Sequence, residues 1–330
     1  MKDSSSPQGS VRVFTGGSTT PTVHTIDEIT DLLADSSNTI WVDLDSDSRE
    51  QLHRLAPILG IHDLAVGDAL GPHQRPKLDT YPGHLFLACH DVNLDVVTGT
   101  MTVEEIDTLI GERWIVTVRS GPAINTDAII DRCSIVPHNG HGTAAFIVYA
   151  MLDQLLESYF DTIETFDDYY DDVAEEIFSE HPLEPQEQHH WFLMRQSLIR
   201  FHRLAFPLRE AIAALMRDVH GLNSPTIQPY FQDLYDHVLR ISESTDSLRD
   251  LVSTIVETNL SLRDYRQNQI MKKATSWAAI VAIPTLVTGF YGMNVKFPSE
   301  STTWGTWVAV ALMVVTSVAL YMQFKRRDWL

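Results

Sequence analysis

Seven residues near the C-terminus share one face of any helix that contains them. Asn268, Met271, Ala274, Ala278, Ala282, Thr285 and Gly289 recur at three- and four-residue steps, with Thr275 as an alternative to Ala274. That spacing is helical. The face is small, weakly polar and uncharged. Such a wall would let a cation pass with most of its water in place, which suits Mg²⁺, an ion that dehydrates reluctantly. The same small residues would also let membrane helices pack closely, and the two readings coexist in an oligomer. Gly292, Met293 and Asn294 follow directly. One Asn carbonyl from each of several chains would form a ring of neutral oxygen acceptors, whereas a lone Asn after a helix is ordinarily a cap.

Other residues offer weaker chemistry. Asp161, Glu164, Asp167, Asp168, Asp171, Asp172, Glu175 and Glu176 read as the solvated face of a long helix or, less simply, as a reservoir for cations. His181, His189 and His190 lack the Cys or spaced acids of a metal centre, and His189-His190 reads as a surface pair. Cys89 and Cys133 have neither metal-ligand nor disulfide-framework spacing and read as buried small apolar residues. No nucleophile elbow, phosphate-binding glycine loop or His-Glu-x-x-His motif is present, so neither an enzyme nor an ATP-driven pump is expected. A formal charge of −20 argues against a nucleic-acid partner.

The elements that must carry the stripe are long and apolar. Residues 274–291 and 304–324 are uncharged, and each is about 20 residues, enough to cross roughly 30 Å of hydrocarbon. Trp277, Trp304, Trp307, Tyr321 and Trp329 lie near their ends, as an interfacial aromatic belt requires. Lys272 and Lys273 precede the first span; Lys325, Arg326 and Arg327 follow the second; the connecting loop holds only Lys296. The basic residues place both termini in the cytoplasm and the short loop outside, in a multi-pass protein of the inner (plasma) membrane. Residues 271–330 carry +4, so the first 270 carry −24 and face the cytosol. The polar start of the chain lacks the apolar core of a signal peptide.

Before the membrane the chain reads as an α+β domain followed by long helices. Residues 1–10 read as a disordered tail. Short β-rich runs at 11–14, 40–43, 84–92, 101–110 and 114–118, with helical patterns at 50–59 and around 124–132, place an α/β domain at 11–141. Residues 142–270 read as helical. Ile147, Met151, Leu155, Tyr159, Ile163, Phe166 and Tyr170 repeat at helical spacing in a first helix over 142–180, ended by Pro182 and Pro185. A second runs over 186–220. A third starts near Gln228, with Pro229 in its first turn, and meets neither Pro nor Gly thereafter until Pro284, so it continues through the first span (271–291). A helix that long buries its face most simply against copies of itself around an axis. The remaining parts are the loop 292–303, the second span 304–324 and the basic end 325–330.

Tyr291-Gly292-Met293-Asn294 between two C-terminal spans, with the ending Lys325-Arg326-Arg327-Asp328-Trp329-Leu330, resembles the CorA family of magnesium/cobalt transporters. Leu59-Gly60-Ile61-His62, His73-Gln74-Arg75-Pro76-Lys77, Phe206-Pro207-Leu208-Arg209-Glu210 and residues 230–237 (YFQDLYDH) are similar to the family's cytoplasmic domain, so the resemblance covers nearly the whole chain.

The resemblance implies a funnel-shaped homopentamer conducting Mg²⁺, with Co²⁺ and Ni²⁺ as further cargo. The third long helix would line the pore, with Asn294 as the outer selectivity ring within Gly292-Met293-Asn294 and Gly289, Thr285, Met271 and Asn268 along the wall. It implies that Asp68 and Asp233 hold a regulatory Mg²⁺ between subunits, whose loss opens the pore. Three departures bear on this. Gly67 stands where an acid often precedes the sensor Asp. Ala274 replaces a bulky gate residue, which shifts the constriction to Met271. The outer loop, Val295-Lys296-Phe297-Pro298-Ser299-Glu300, has one acid beside a Lys. The alternatives are a Zn²⁺ transporter of the same superfamily, which Met293 disfavours, and a membrane-anchored cytosolic sensor.

Overall fold

The computed structural model describes residues 10–16, 18, 20–71, 75–121, 125–135, 143–176, 185–217, 225–293 and 303–330. The chain divides into two compact units, residues 1–252 and 253–330.

The first unit is built on a seven-stranded mixed sheet: β1 (Ser10–Thr15), β2 (Thr22–His24), β3 (Asn38–Asp45), β4 (Lys77–Tyr81), β5 (His84–Asp95), β6 (Thr100–Ile110) and β7 (Trp114–Arg119), in the order β2-β1-β3-β7-β6-β5-β4. Only β3 and β7 run parallel. The five strand runs read from the sequence are β1, β3, β5, β6 and β7; β1 starts at Ser10, inside the segment expected to be a tail. β4 and β5 are joined by Pro82-Gly83, with Tyr81 paired to His84. Gly83 has φ +86°, the backbone that the second residue of a Pro-Gly turn needs.

Side-chain alternation gives the sheet two different faces. On one face Val42, Leu44, Leu109, Val116 and Val118 pack with Leu52, Leu55, Ala65 and Val66 of two short helices, α2 (Arg49–Leu59) and α3 (Asp63–Ala69). α2 ends at Gly60, which takes φ +69° and returns its N–H to the Ala56 carbonyl. α3 starts on His62, whose Nδ1 accepts from Leu64 N at 3.1 Å. Another short helix, numbered α1 (Ile29–Ala34), precedes β3.

The other face meets long helices. After α4 (Thr126–Ile135), α5 (Ala144–Glu176) crosses β5, and Thr108 on β6 touches Met151 Sδ at 3.6 Å. All seven apolar residues of the α5 repeat are buried, and the eight carboxylates of its acidic run are exposed, as a solvated face requires. α6 (Pro185–Arg217) lays Phe201 between Tyr159 and Phe166, at ring distances of 5.1 and 6.1 Å. Pro185 opens this helix, where its missing N–H costs nothing. Both cysteines are buried and neither is in a disulfide. Burial pushes the Cys133 thiol up to about 12, so it stays protonated and inert.

α7 (Gln228–Tyr291) is a single helix of 64 residues, roughly 95 Å long at 1.5 Å per residue. Its first turns join the helices of the first unit: Tyr230 meets Tyr149 at 5.1 Å, and Asp246 takes His202 Nε2 at 3.1 Å. The second unit comprises the rest of α7 and α8 (Thr303–Arg326). Both helices are long and apolar enough to cross a membrane. Few of their residues are buried and both lie at the C-terminal end, unlike a soluble core helix or a leader. Trp277, Leu286, Trp304, Trp307 and Val315 are all more than half exposed, a surface suited to lipid rather than water.

Candidate functional site

Within the second unit, burial follows one stripe on each helix. On α7, Ser276 and Val287 are buried and Ala279, Ile280, Ile283, Pro284 and Tyr291 half-buried. On α8, Gly305 and Ala309 are buried and Met313, Thr316, Ser317, Leu320 and Phe324 half-buried. Both sets advance at three- and four-residue steps. All seven residues of the small polar stripe, Asn268 to Gly289, are exposed, and so is Thr275. At about 100° per residue their face lies roughly opposite the buried face of α7. The side of α7 covered within the chain is therefore not the side that carries the stripe.

The stripe offers oxygen without charge. Thr285 Oγ1 donates to the Val281 carbonyl at 3.0 Å, which leaves its lone pairs turned outward as acceptors. An added Cβ at Gly289 would meet nothing within 4 Å, so the surface there is open. Met271 is 62% exposed on the same face. Beyond Tyr291 the helix closes with Gly292 N donating to Thr288 O at 2.9 Å and Met293 N to Phe290 O at 3.3 Å. Gly292 and Met293 are exposed; Asn294 lies outside the described residues.

Asp68 and Asp233 belong to the first unit, and each has a partner of its own. Asp68, in the last turn of α3, takes Lys77 Nζ at 2.7 Å, and Lys77 also meets Asp79 at 2.7 Å. Burial works to lower the Lys77 pKa, but hydrogen bonds to the two carboxylates prevail and hold it above its ordinary value. Asp233, near the start of α7, lies 3.8 Å from His237 Nε2 and is 55% exposed. Its charge, with that of Asp153, adds to burial in pushing Tyr149 up to about 12. Gly67, beside Asp68, has open space where a side chain would begin. Among the described residues no group of three or more His, Cys, Asp or Glu is gathered to hold a metal within one chain.

One pair of acids was missed in the sequence. Glu105 and Asp107 lie two apart on β6, on the face that α2 and α3 cover, in register with Leu109. Asp107 is 4% exposed, and burial, then Glu105 and Asp68, pushes its carboxyl up to about 8. The signal was legible as alternation: a carboxylate at i and i+2 of a strand whose i+4 residue is a core leucine must face the core.

The chain resembles known ion transporters over nearly its whole length. The sequence model of the family described as "CorA-like Mg2+ transporter protein" matches residues 36–326. The Cobalt/magnesium transport protein CorA of Thermotoga maritima is 29% identical over 301 residues, covering 90% of this chain and 85% of that protein. The protein of the same name in Methanocaldococcus jannaschii is 24% identical, over 88% of this chain and 91% of its own. Among solved structures, the complete CorA magnesium transporter from Methanocaldococcus jannaschii superposes with a TM-score of 0.77 at 21% identity, over 98% of this chain and 99% of that one.

Proposed function

The chain belongs to the CorA family of Mg²⁺ transporters, and from that premise we propose that it is a passive influx channel for Mg²⁺, with Co²⁺ and Ni²⁺ as further cargo. It works as a homopentamer in the plasma membrane, both termini in the cytosol, and closes when cytosolic Mg²⁺ is plentiful. One observation carries the reading: the uncharged stripe of α7 is exposed on the side roughly opposite the one the chain buries. A helix face of that kind has a use when several copies surround an axis. The ion keeps most of its water there, passing weakly polar walls such as Thr285. Membrane potential favours inward flow by roughly 4.6 kcal/mol per 100 mV for a dication, and no other energy source is required.

The test is Mg²⁺ influx into liposomes carrying the purified full chain, with Gly289→Leu beside it. The open space at Gly289 means the subunit itself tolerates a larger residue. A leucine there obstructs flow if this face lines a lumen, and a variant that still assembles as wild type does excludes lost helix packing as the cause. Influx is expected to fall at least tenfold, a change of about 1.4 kcal/mol or more, while Val314→Leu on the exposed side of α8 leaves it unchanged. Equal influx in wild type and Gly289→Leu would sink the pore-wall assignment.

Gating rests on Asp68 and Asp233. A Mg²⁺ bridging Asp68 of one subunit to Asp233 of the next would have to compete with Lys77 for Asp68, since that ammonium sits 2.7 Å away. Asp233→Asn should raise the internal Mg²⁺ needed to halve influx by about tenfold, the shift given by about 1.4 kcal/mol of lost ion binding. An unchanged half-point in the flux assay would remove Asp233 from the gate.

A further inference from the structure

We propose that each subunit holds a second cation site inside its cytosolic domain, between α3 and β6, in which Asp107 and Glu105 bind a divalent cation that retains part of its water. The site is independent of the pore and does not use Asp233.

A cavity of about 100 Å³ opens there, lined by Ser46, Arg49, Glu105, Asp107, Arg119 and Ser120 among others. Asp107 Oδ1 is buried and has no hydrogen-bond partner among the described residues. An unpartnered buried carboxylate oxygen is costly, and two acids this close on one strand face raise the cost further. Among the described residues, two cations near Asp107 are engaged elsewhere. Lys77 is held between Asp68 and Asp79, each at 2.7 Å. Arg119 borders the cavity, but the alternation of β7 carries its side chain to the opposite face of the sheet, where its Nε meets Asp43 at 3.0 Å and its guanidinium reaches the Gly121 carbonyl. Arg49 is exposed at the rim.

The donor set is hard oxygen. Ser120 Oγ accepts from Glu105 N at 2.8 Å and donates to Glu105 O, which fixes that stretch of β6 at the cavity. One or two carboxylates completed by water are how proteins commonly hold Mg²⁺, and a cavity of this size has room for an ion with a few waters. The high pKa of Asp107 follows from the same geometry, since without a cation the carboxyl keeps its proton. Asp68 sits on the helix that roofs the cavity, so its carboxylate adds to the negative field there.

The probe is Mn²⁺, a hard ion that suits carboxylate and water ligands. Its free concentration is read by electron paramagnetic resonance in detergent-solubilised full chain above neutral pH. The background is Asp233→Asn, which disables the bridge between subunits and leaves β6 untouched. Adding Asp107→Asn is expected to remove one bound Mn²⁺ per chain. Equal counts with and without Asp107→Asn overturn the site, whatever the outcome of the flux assay. In metal-free buffer Asp107→Asn should melt no lower than its parent, because an amide replaces a buried acid. If it nevertheless fails to assemble, Glu105→Gln takes its place under the same two outcomes. Mn²⁺ should also raise the melting temperature of the parent, and a parent unmoved by Mn²⁺ overturns the site as well.

Discussion

Alanine at position 294 is expected to abolish Mg²⁺ influx, by a factor of at least a hundred. The stripe of α7 contains no charge, so nothing along the wall selects a dication over water. The loop that follows has one acid, Glu300, and Lys296 two residues beyond Asn294 repels incoming cations. The amide oxygen of Asn294 is then the strongest neutral acceptor at the mouth, repeated once per subunit in the proposed pentamer. A hydrogen bond to a charged group is worth about 1.5–3 kcal/mol. The variant loses all five amides; where two at a time hold the ion's first-shell water, that loss costs about 3 kcal/mol, more than a hundredfold in rate or occupancy. The helix behind it tolerates the change, since its last turn is tied through the backbone from Gly292 to Thr288 and from Met293 to Phe290. Influx is measured with a Mg²⁺-sensitive dye in liposomes, with Ser299→Ala as the control in the same loop. If Asn294→Ala conducts within twofold of wild type, the filter lies elsewhere.

Long elements were legible in the sequence because their periodicity is sustained. The α5 repeat needed only its apolar spacing, and all seven of its residues are buried. α7 was legible as one helix because, after Pro229 in its first turn, neither Pro nor Gly occurs before Pro284. Several short elements, α1, α3, β2 and β4, were not legible. α3 has seven residues, contains Gly67, and is capped by an imidazole rather than by Ser, Thr, Asp or Asn. Below about a dozen residues a helix depends on tertiary packing more than on propensity, and here the packing is Ala65 and Val66 against the sheet. β4 is an edge strand of mostly half-buried residues with no apolar alternation. The loss matters, because α3 carries Asp68 and β4 begins at Lys77, its partner. The stripe on α7 was legible from spacing alone. Its position opposite the buried face was not, because burial depends on where α8 packs.

Arg119→Met is expected to destabilise the cytosolic domain by about 3–5 kcal/mol, the cost typical of stripping one partner from a buried ion pair. The side chain of Asp43 is 4% exposed at the one parallel junction of the sheet, where β3 meets β7. Its oxygens take Arg119 Nε at 3.0 and 3.2 Å and Thr117 Oγ1 at 2.8 Å. Without the guanidinium one hydroxyl remains to face a full negative charge beside Trp41, which is fully buried. Domains of this kind hold about 5–15 kcal/mol in all, so the variant should unfold well below wild type in urea, followed by circular dichroism on the full chain. The double variant Asp43→Asn/Arg119→Met should recover a large part, because the uncompensated charge is then gone; a double variant no more stable than Arg119→Met would mean that packing by the arginine, not charge, is what is lost. The pair also explains the neighbouring acid. Arg119 can serve only one face of the sheet. By serving Asp43 it leaves Asp107, on the other side of the sheet and one strand over on β6, without that guanidinium.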